Sequence, residues 1–440
     1  MDGPWPSKFA VPAVLSLISF LSFSSQYLIL QLDPGPLDYR QTLIFNSLIA
    51  CLLISYARAC VTDPGRIPED WLDQFVSNGE SKSDESRQRA SKLRRRWCSK
   101  CNIYKPPRAH HCKSCQRCIL KMDHHCPWTV NCVSHVTFPH FIRFVFFAVA
   151  AMAYLEKFLY DRAAVIWENR HLPSYLGPTV FQLVHFFLLV AANSLTLFVL
   201  AILLVRTLWC LAVNTTTIEE WEIERHETLL RRARYLGGYL NGPDGQRVRI
   251  VKQEFPYDIG IWKNLKQGMG TWNFLAWLWP LSASPSVESG LEFEENGFED
   301  TSVSWPPPDP DRIPRIKRTF NSEDALVYNQ YGQTNDREDI EAFRRRQAED
   351  LKRWNSNAGG IQRRKPFYTR ATEDGRMFDG SDASDVDIGN MEGGGEEGWR
   401  NSEGERLRDF GVDEDVEFYD EDDVPLAELI ARKKAKNNAM

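Results

Sequence analysis

Four apolar runs within the first 213 residues constrain the fold of this 440-residue chain more than any other feature. They cover roughly residues 9–30, 42–60, 141–160 and 180–213. Each approaches or exceeds the ~20 residues that a helix needs to cross a bilayer. Helices of a soluble core would carry a polar face, and these runs show little amphipathic patterning. The sequence therefore predicts an all-α polytopic membrane protein with four transmembrane helices.

The first run could instead be the apolar part of a cleaved signal peptide. Its only basic neighbour on the N-terminal side is Lys8, and the run is longer than the about 7–15 apolar residues of a signal peptide. We therefore interpret it as the first membrane span.

The charges of the connecting segments predict the orientation in the membrane. Residues 61–138 carry 14 Lys and Arg, whereas residues 31–41 carry only Arg40 and residues 161–179 carry only Arg162 and Arg170. Cytoplasmic loops are enriched in basic residues, so we expect the long loop to be cytosolic, and with four spans both termini as well. The sequon at Asn214 follows the fourth span and is then expected to be unglycosylated.

Composition divides the chain into regions. The mean hydropathy of −0.39 averages an apolar first half and an acidic second half. The net charge of −6 gives no indication of a nucleic-acid partner.

Residues 271–280 (TWNFLAWLWP) predict a segment at the bilayer interface, or one packed against the loop domain. Stretches such as GGGEEG and VDEDVEFYDEDD predict a largely disordered acidic tail from about residue 282. We expect boundaries at 1–62 (helices 1 and 2), 63–140 (cytosolic Cys-rich domain), 141–213 (helices 3 and 4), 214–281 (membrane-proximal region) and 282–440 (tail).

The loop between the second and third runs is dense in potential metal ligands. From Trp97 it reads WCSKCNIYKPPRAHHCKSCQRCILKMDHHCPWTVNC, with seven of the ten cysteines and four histidines within 35 residues. In a reducing compartment such a cluster more often binds metal than forms disulfides. The two C-x2-C pairs, Cys98/Cys101 and Cys112/Cys115, are typical of zinc sites, which take four ligands each. Two zinc ions would use eight of the eleven groups, and the spacing does not say which three remain.

The sequence Asp123-His124-His125-Cys126 offers a use for a residue that is left over. Adjacent histidines cannot both point the same way, so one can bind metal while the other faces Cys126. A thiol becomes a good nucleophile when a neighbouring imidazole accepts its proton, and Asp123 could hold that imidazole in the useful tautomer. The alternative is a zinc knuckle with spare histidines that serves as a docking module.

At these residues the chain strongly resembles the DHHC protein S-acyltransferases, or palmitoyltransferases. Asp63-Pro64-Gly65 resembles the DPG motif of that family, and Thr216-Thr217-Ile218-Glu219 resembles its TTxE motif. The stretch FPYDIGIWKN, which ends at Asn264, resembles its aromatic-and-Asn motif. The motifs occur in the family's order over about residues 9–280, and the sequence between them is similar to that of the fungal endoplasmic-reticulum branch.

The resemblance implies a division of the eleven ligands. One structural Zn²⁺ is expected to bind Cys98, Cys101, His111 and Cys118. A second is expected to bind Cys112, Cys115, His125 and Cys132. Cys126 is then the acyl-accepting nucleophile, His124 its general base and Asp123 the orienting carboxylate.

The resemblance also implies the donor and its contacts. Palmitoyl-CoA is the expected acyl donor, and its acyl group would pass through a thioester on Cys126 in a ping-pong exchange. Candidates around the donor are Arg96, Lys105, Arg108, His110 and Thr217, the last through a hydrogen bond near Asp123. The alternatives remain open: Arg96 could belong to a basic run that meets anionic lipid, and Thr216 and Thr217 could cap the following helix.

The expected function is that of a protein S-palmitoyltransferase of the endoplasmic-reticulum membrane. Its implied partners are membrane proteins with cytosolic juxtamembrane cysteines, with chitin synthase as the implied substrate class. The rival is a non-catalytic zinc-scaffolded membrane adaptor or chaperone, which has no need of Cys126. A membrane ubiquitin ligase of the RING kind needs a longer, interleaved ligand spacing that the sequence does not show.

Overall fold

A computed structural model describes residues 5–72, 96–171, 173, 175–242, 247–296, 305–307, 309–310 and 399–413. In these ranges the chain is mostly helical, and its strands form only short two-stranded sheets. Four helical segments are long and apolar enough to cross a membrane: Phe9–Ile29, Tyr39–Val61, Phe138–His171 and Val180–Val213. The predicted fold class, a helical membrane protein with a Cys-rich domain between its second and third spans, is confirmed.

The first two spans begin and end where local chemistry predicts. The first comprises α1 (Trp5–Ser19), a π-helical turn (Phe20–Ser24) and α2 (Ser25–Ile29). The second is α3 (Tyr39–Val61), whose first turn is capped by the carboxylate of Asp38. It ends just before Asp63-Pro64, because the residue that precedes a proline disfavours helical dihedrals.

The last two spans are longer than the first two. The third is α4 (Phe138–Glu168), which continues into a 3₁₀ turn (Asn169–His171), and the fourth is α5 (Val180–Val213). Thr179 and Gln182 form a capping box at the start of α5. The fourth span has the predicted bounds, whereas α4 extends beyond the predicted 141–160 at both ends.

The core of the bundle forms around α4. In one half, Phe158 and Leu159 pack with Phe45 of α3 and Leu189 of α5. In the other half, residues of α1, α3 and α4 pack together next to the Cys-rich domain. Many large apolar side chains of α5 point outward, among them Leu195, Phe198, Ile202 and Val205. An outward apolar surface of this kind suits contact with lipid tails.

The Cys-rich domain consists of three antiparallel hairpins. They pair β1 (Trp97–Cys98) with β2 (Ile103–Tyr104), β3 (His110–Cys112) with β4 (Arg117–Ile119), and β5 (His124–Cys126) with β6 (Asn131–Val133). Each of the first two hairpins turns through a C-x2-C pair, and the residue after each pair, Asn102 or Gln116, has a positive φ of 53°. These left-handed residues let the chain reverse within the span of two cysteines.

The region that follows α5 lies on the same end of the bundle as the Cys-rich domain. It contains α6 (Thr217–Tyr235), the hairpin of β7 (Tyr239–Asn241) and β8 (Arg247–Arg249), α7 (Ile261–Met269), α8 (Phe274–Leu278) and a 3₁₀ turn (Glu288–Gly290). Arg143 of α4 donates hydrogen bonds to the carbonyls of Ala276 and Trp277. Arg58 of α3 donates to those of Pro280 and Ser282.

These bonds tie the Trp-rich segment 271–280 to the ends of two spans. Its side chains Trp272, Phe274, Leu275 and Trp279 are exposed. An apolar, aromatic surface level with the ends of the spans is what a segment at the bilayer interface requires. The geometry therefore favours the interfacial interpretation over packing inward against the Cys-rich domain.

The acidic tail has more defined packing than the sequence predicts. Residues 282–296 continue the membrane-proximal region, where Val287 and Leu291 pack beside Leu120 of the Cys-rich domain. A 3₁₀ turn (Leu407–Phe410) also packs on that domain. A few aromatic and aliphatic side chains make these contacts, and they are too few among the acidic residues to show in the composition of the tail. Most of the predicted tail, residues 311–398 and 414–440, lies outside the described residues.

Candidate active site and metal clusters

Two groups of four Cys and His side chains converge in the Cys-rich domain. Cys98, Cys101, His111 and Cys118 form the first cluster, and Cys112, Cys115, His125 and Cys132 form the second. In the first, Nδ1 of His111 lies 3.4, 3.3 and 3.8 Å from the three sulfurs. In the second, Nδ1 of His125 lies 3.6, 3.5 and 3.5 Å from its three sulfurs. These are the same eight residues that the resemblance implies.

The donor sets fit zinc. Zn–S bonds of about 2.3 Å and Zn–N bonds of about 2.0 Å at tetrahedral angles separate sulfur from nitrogen by roughly 3.5 Å. The separations in both clusters lie close to that value. All ten cysteines are described, and none of them forms a disulfide. Each cluster offers three thiols and one imidazole, the closed set that is typical of a structural zinc site.

Strand alternation explains how neighbouring residues serve different clusters. Successive side chains of a strand point to opposite faces. In β3, His111 turns to the first cluster and Cys112 to the second. In β5, His125 turns to the second cluster, so His124 and Cys126 share the opposite face. Cross-strand register completes each cluster, because His111 lies opposite Cys118 and His125 lies opposite Cys132.

The residues left out of the clusters include Asp123, His124 and Cys126. Oδ2 of Asp123 accepts a 2.7 Å hydrogen bond from Nδ1 of His124. The other ring nitrogen of His124 is then available to Cys126, with which it interacts. The ring of His124 also packs edge-on against Phe141 of α4, with the centroids 5.7 Å apart. This is the order of carboxylate, imidazole and thiol that nucleophilic catalysis requires.

The electrostatics of this trio favour a thiolate paired with an imidazolium. Burial opposes the charge of His124, but its bonds to Asp123 and Cys126 dominate and raise the pKa of His124 to about 10. Burial likewise opposes a thiolate at Cys126, yet hydrogen bonding and charge from His124 hold the pKa of Cys126 below its usual value. Thr129 contributes a smaller effect in the same direction. The nucleophilic form of the thiol is therefore stabilised.

Cys126 faces the apolar interior of the helix bundle. It is 5% exposed and packs in one cluster with Ile18 of α1, Leu52 and Tyr56 of α3, and Phe144 of α4. A group bound to its sulfur would thus enter a space lined by three spans. The thiol therefore lies among apolar side chains at the end of the bundle that adjoins the Cys-rich domain.

Hydrogen bonds from two side chains, Asn131 and Tyr56, tie the loop after Cys126 to α3, and sequence reasoning missed them. Nδ2 of Asn131 donates to the carbonyls of Ala59, at 3.0 Å, and Thr62, at 2.8 Å. The hydroxyl of Tyr56 donates to the carbonyl of Trp128. These bonds set Cys126 level with the end of a membrane span. The sequence carries no signal for them, because the partners are about 70 residues apart.

The start of α6 holds Asp123 from behind. Thr217 donates two hydrogen bonds to Asp123, from its backbone N–H and from its hydroxyl. Thr216 and Glu219 form a capping box for the same helix. Both alternatives that the sequence left open for this motif therefore hold.

Arg108 is placed differently from the expectation that it contacts the donor. Its guanidinium forms two 2.6 Å hydrogen bonds to the carboxylate of Glu219, and both side chains are almost fully buried, at 1% and 2% exposure. It also donates to Asn214 and lies 4.4 Å from the centre of the Tyr257 ring. These contacts occupy the guanidinium inside the protein, and the expectation that Arg108 contacts a phosphate of the donor stays a prediction.

The other donor-side candidates are also engaged. Arg96 is half-buried and donates to the carbonyls of Pro106 and Ala109. Lys105 and His110 are buried. Arg96 directly precedes β1, Lys105 directly follows β2, and His110 begins β3.

Asn214 joins three parts of the site, a role that its sequon conceals. It ends α5 in a left-handed conformation and is buried. Its Oδ1 accepts hydrogen bonds from Arg108 and Lys121, and its Nδ2 donates to the carbonyl of Tyr257 and to Gln267. The side chain of this asparagine is therefore committed to contacts inside the protein, and the expected absence of a glycan stays a prediction.

Comparison with known proteins points to one family. The family model for the DHHC palmitoyltransferase matches residues 91–224. The chain is 54% identical to the palmitoyltransferase pfa4 of Emericella nidulans over 98% of both chains. It is 52% identical to that of Aspergillus fumigatus over 97% of this chain and 98% of the relative. It is also 31% identical to the probable protein S-acyltransferase 15 of Arabidopsis thaliana, over 63% of this chain and 95% of the relative.

Proposed function

The chain belongs to the DHHC palmitoyltransferase family and is a protein S-palmitoyltransferase, and we propose that Cys126 carries the acyl group between donor and acceptor. The donor is a long-chain acyl-CoA, and the acceptors are cysteines of membrane proteins. One observation carries the proposal. The carboxylate of Asp123 accepts a hydrogen bond from His124, and His124 in turn interacts with Cys126, which packs among the apolar side chains of the bundle.

In the first step the Cys126 thiolate attacks the carbonyl carbon of acyl-CoA. The new C–S bond replaces the bond to the sulfur of CoA, which leaves with the proton held by His124. Asp123 keeps the imidazole oriented through its bond to Nδ1, so the other ring nitrogen faces the reacting sulfurs. The product is an acyl-enzyme thioester.

In the second step a substrate cysteine reverses these roles. His124 takes the proton of the incoming thiol, whose sulfur attacks the carbonyl carbon, and Cys126 leaves as a thiolate. One thioester is exchanged for another, so the net free-energy change is small. CoA departs before the second substrate reacts, which defines a ping-pong mechanism.

We propose that the acyl chain lies among the side chains that surround Cys126 within the bundle. Ile18, Leu52 and Phe144 represent the three spans that line this space. Burial of a lipid chain contributes about 0.8 kcal/mol per CH₂. A long chain is therefore favoured over a short one.

We propose that each Cys/His cluster holds one zinc ion. Four protein ligands leave no coordination site for substrate, so zinc supplies rigidity to the hairpins rather than chemistry at the thiol. The second cluster includes His125, which lies between His124 and Cys126 in β5. Fixing His125 fixes the face on which the reacting pair lies.

We propose that Arg96, Lys105 and His110 form the donor side of the site, near the first cluster, with Thr217 acting through Asp123. Their basic character supports the assignment, because CoA carries phosphates. Replacement of Lys105 by Gln is expected to raise the KM for acyl-CoA more than it lowers kcat. An unchanged KM would remove Lys105 from the donor side.

We propose that this site faces the cytosol, with both termini on the same side, in the endoplasmic-reticulum membrane. The excess of Lys and Arg in residues 61–138 supports the orientation. The similarity of the sequence to the fungal endoplasmic-reticulum branch supports the compartment and chitin synthase as a substrate class. Loss of labelled chitin synthase on deletion of this protein, with restoration by wild type and not by Cys126→Ser, would test the substrate.

The deciding experiment is acyl labelling of the purified protein with an alkyne analogue of palmitoyl-CoA. Wild type is compared with Cys126→Ser and with Cys51→Ser as the control. Cys51 lies on α3 and packs against the same group of apolar side chains as Cys126. We expect label that neutral hydroxylamine removes in wild type and Cys51→Ser, none in Cys126→Ser, and about two zinc ions in all three. Equal labelling of all three proteins would favour the non-catalytic adaptor. Loss of zinc from Cys126→Ser would overturn the division of ligands.

A further inference from the structure

A segment of the acidic tail, residues 399–413, packs against the second metal cluster. We call it the docking segment. Val412 forms a β-bridge with Cys112, a residue of that cluster. The backbone N–H of Lys113 donates to the carbonyl of Gly411, and that of Asp413 donates to the carbonyl of His111, each at 2.9 Å. The docking segment thus pairs with the edge of β3 that β4 leaves open.

Apolar side chains secure the docking segment beside this edge. Leu407, Phe410 and Val412 are buried in one cluster with Cys112, Cys132, Ile119, Met122, Ile218 and Trp221. Trp399 packs edge-on against Trp221 of α6, with the ring centroids 4.7 Å apart. The space between the β3–β4 hairpin and α6 is therefore filled by side chains from far along the chain, and the contact of Trp221 with Glu405 alone spans 184 residues.

Polar contacts fix the two ends of the docking segment. Asp413 is buried and pairs with Lys100 of the first hairpin at 2.5 Å. Glu403 pairs with Arg206 of α5 at 2.9 Å. The backbone N–H of Ser402 donates to Glu224 of α6 at 2.6 Å. Two carboxylates of the segment thus have cationic partners, one towards each end, which distinguishes this contact from non-specific apolar association.

Gly411 makes the closest approach to a cluster ligand. Its φ is +84°, and a Cβ added there would lie 2.7 Å from Cβ of His125. Gly404 also has a positive φ, +81°, but a Cβ there would meet nothing within 4 Å. Both glycines therefore have a left-handed backbone conformation that strains other residues, but only Gly411 also contacts His125.

We propose that residues 399–413 act as an intramolecular cover of the second metal cluster. By packing on the cluster they slow the release of its metal ion. The segment covers Cys112 and Cys132, fixes the strand that carries Cys112, and bears on His125 through Gly411. Because His125 lies between His124 and Cys126, the segment is also a positioning element for the reacting pair. The inference rests on the proposed zinc site, and it assigns to part of the acidic tail a structural partner within the same chain.

The experiment compares Gly411→Ala with Gly404→Ala in the full-length protein, purified in detergent with zinc bound. Each protein is mixed with a chromogenic chelator, and release of zinc is followed over time. We expect the zinc of the second cluster, about half of the total, to leave Gly411→Ala about tenfold faster than wild type. The added methyl group would collide with His125 and push the segment away from the cluster. Gly404→Ala should release zinc as wild type does. Phe410→Ala, which removes apolar contact without adding atoms, should resemble Gly411→Ala.

A synthetic peptide of residues 399–413 then tests the groove itself. Added to Phe410→Ala, it should slow the release of zinc towards the wild-type rate, whereas the same peptide with Gly411→Ala should not. Equal release from all variants, equal acceleration by both glycine variants, or no effect of the wild-type peptide would each overturn the inference. Acyl labelling of Cys126 in the same samples separates this result from the proposed function, since absent wild-type label would refute the latter alone.

Discussion

The backbone N–H of Thr217 donates a 2.8 Å hydrogen bond to Oδ1 of Asp123, although 94 residues separate the two. The hydroxyl of Thr217 donates to the carbonyl of Asp123 at 2.5 Å. The other carboxylate oxygen holds Nδ1 of His124. The helix that leaves the fourth span therefore orients the carboxylate that orients the imidazole.

Replacement of Thr217 by Val should lower the rate of acyl transfer to Cys126 about fivefold. Val keeps the shape and the backbone N–H but removes the hydroxyl, whose hydrogen bond contributes about 1 kcal/mol. Single-turnover labelling measures the effect. Thr217→Ser retains the hydroxyl and should label at nearly the wild-type rate. If Ser and Val label equally slowly, the methyl group rather than the hydrogen bond positions Asp123.

Replacement of Asp123 by Asn should lower the same rate by roughly 10²–10⁴, because the imidazole loses the acceptor that fixes its tautomer and supports its charge. Without that support His124 is a weaker base, and the pKa of Cys126 moves up towards that of a buried thiol. The fraction of thiolate then rises only at higher pH. The deficit relative to wild type should accordingly shrink as the buffer is made alkaline.

Single-turnover labelling across a series of buffers, with zinc content measured in each protein, checks this prediction. The zinc content should be unchanged, because Asp123 belongs to neither cluster. A deficit of the same size at every pH would contradict a role through the ionisation of Cys126.

Sequence reasoning reached the outline of this site because local rules govern it. Because adjacent side chains cannot both point the same way, the sequence predicts that His124 and His125 diverge, and the structure shows that they do. The separation of the two ligand sets did not follow from spacing, since the hairpin registers that join His111 to Cys118 are not visible in the letters. The family resemblance supplied that division.

The parts that the sequence could not show are contacts between distant residues. Arg108 looks like a free surface cation until its partner Glu219, 111 residues away, is placed beside it. Asn214 looks like a glycosylation site and is an internal hub. The docking segment looks like disordered acidic tail because its few apolar residues are outnumbered by charges.

The buried pair of Arg108 and Glu219 gives a prediction that distinguishes structure from donor binding. Arg108→Met leaves the Glu219 carboxylate buried without its cation, which costs about 3–5 kcal/mol. We expect a large drop in the thermal unfolding midpoint and reduced labelling at any acyl-CoA concentration. The double variant Arg108→Met with Glu219→Gln should recover part of the lost stability. A raised KM for acyl-CoA with unchanged stability would instead support Arg108 as a contact of the donor.

Asn264 offers the last prediction, for the aromatic-and-Asn motif. It is fully buried, and its Nδ2 donates to the carbonyl of Ala212 at the end of α5 and to Asp258, while its Oδ1 accepts from the backbone of Ile259. Asn264→Ala leaves buried groups without partners, each at a cost of about 1–3 kcal/mol. The thermal unfolding midpoint and the rate of labelling should therefore fall together.

The matched control is Asn273→Ala, which removes the exposed cap of α8. Loss of an exposed cap costs about 1 kcal/mol or less, so its midpoint should change little. The two asparagines lie in the same region and differ in burial and in the connection to α5. If both variants lower the midpoint equally, the link from Asn264 to Ala212 does not stabilise the site, and the motif acts through its aromatic residues alone.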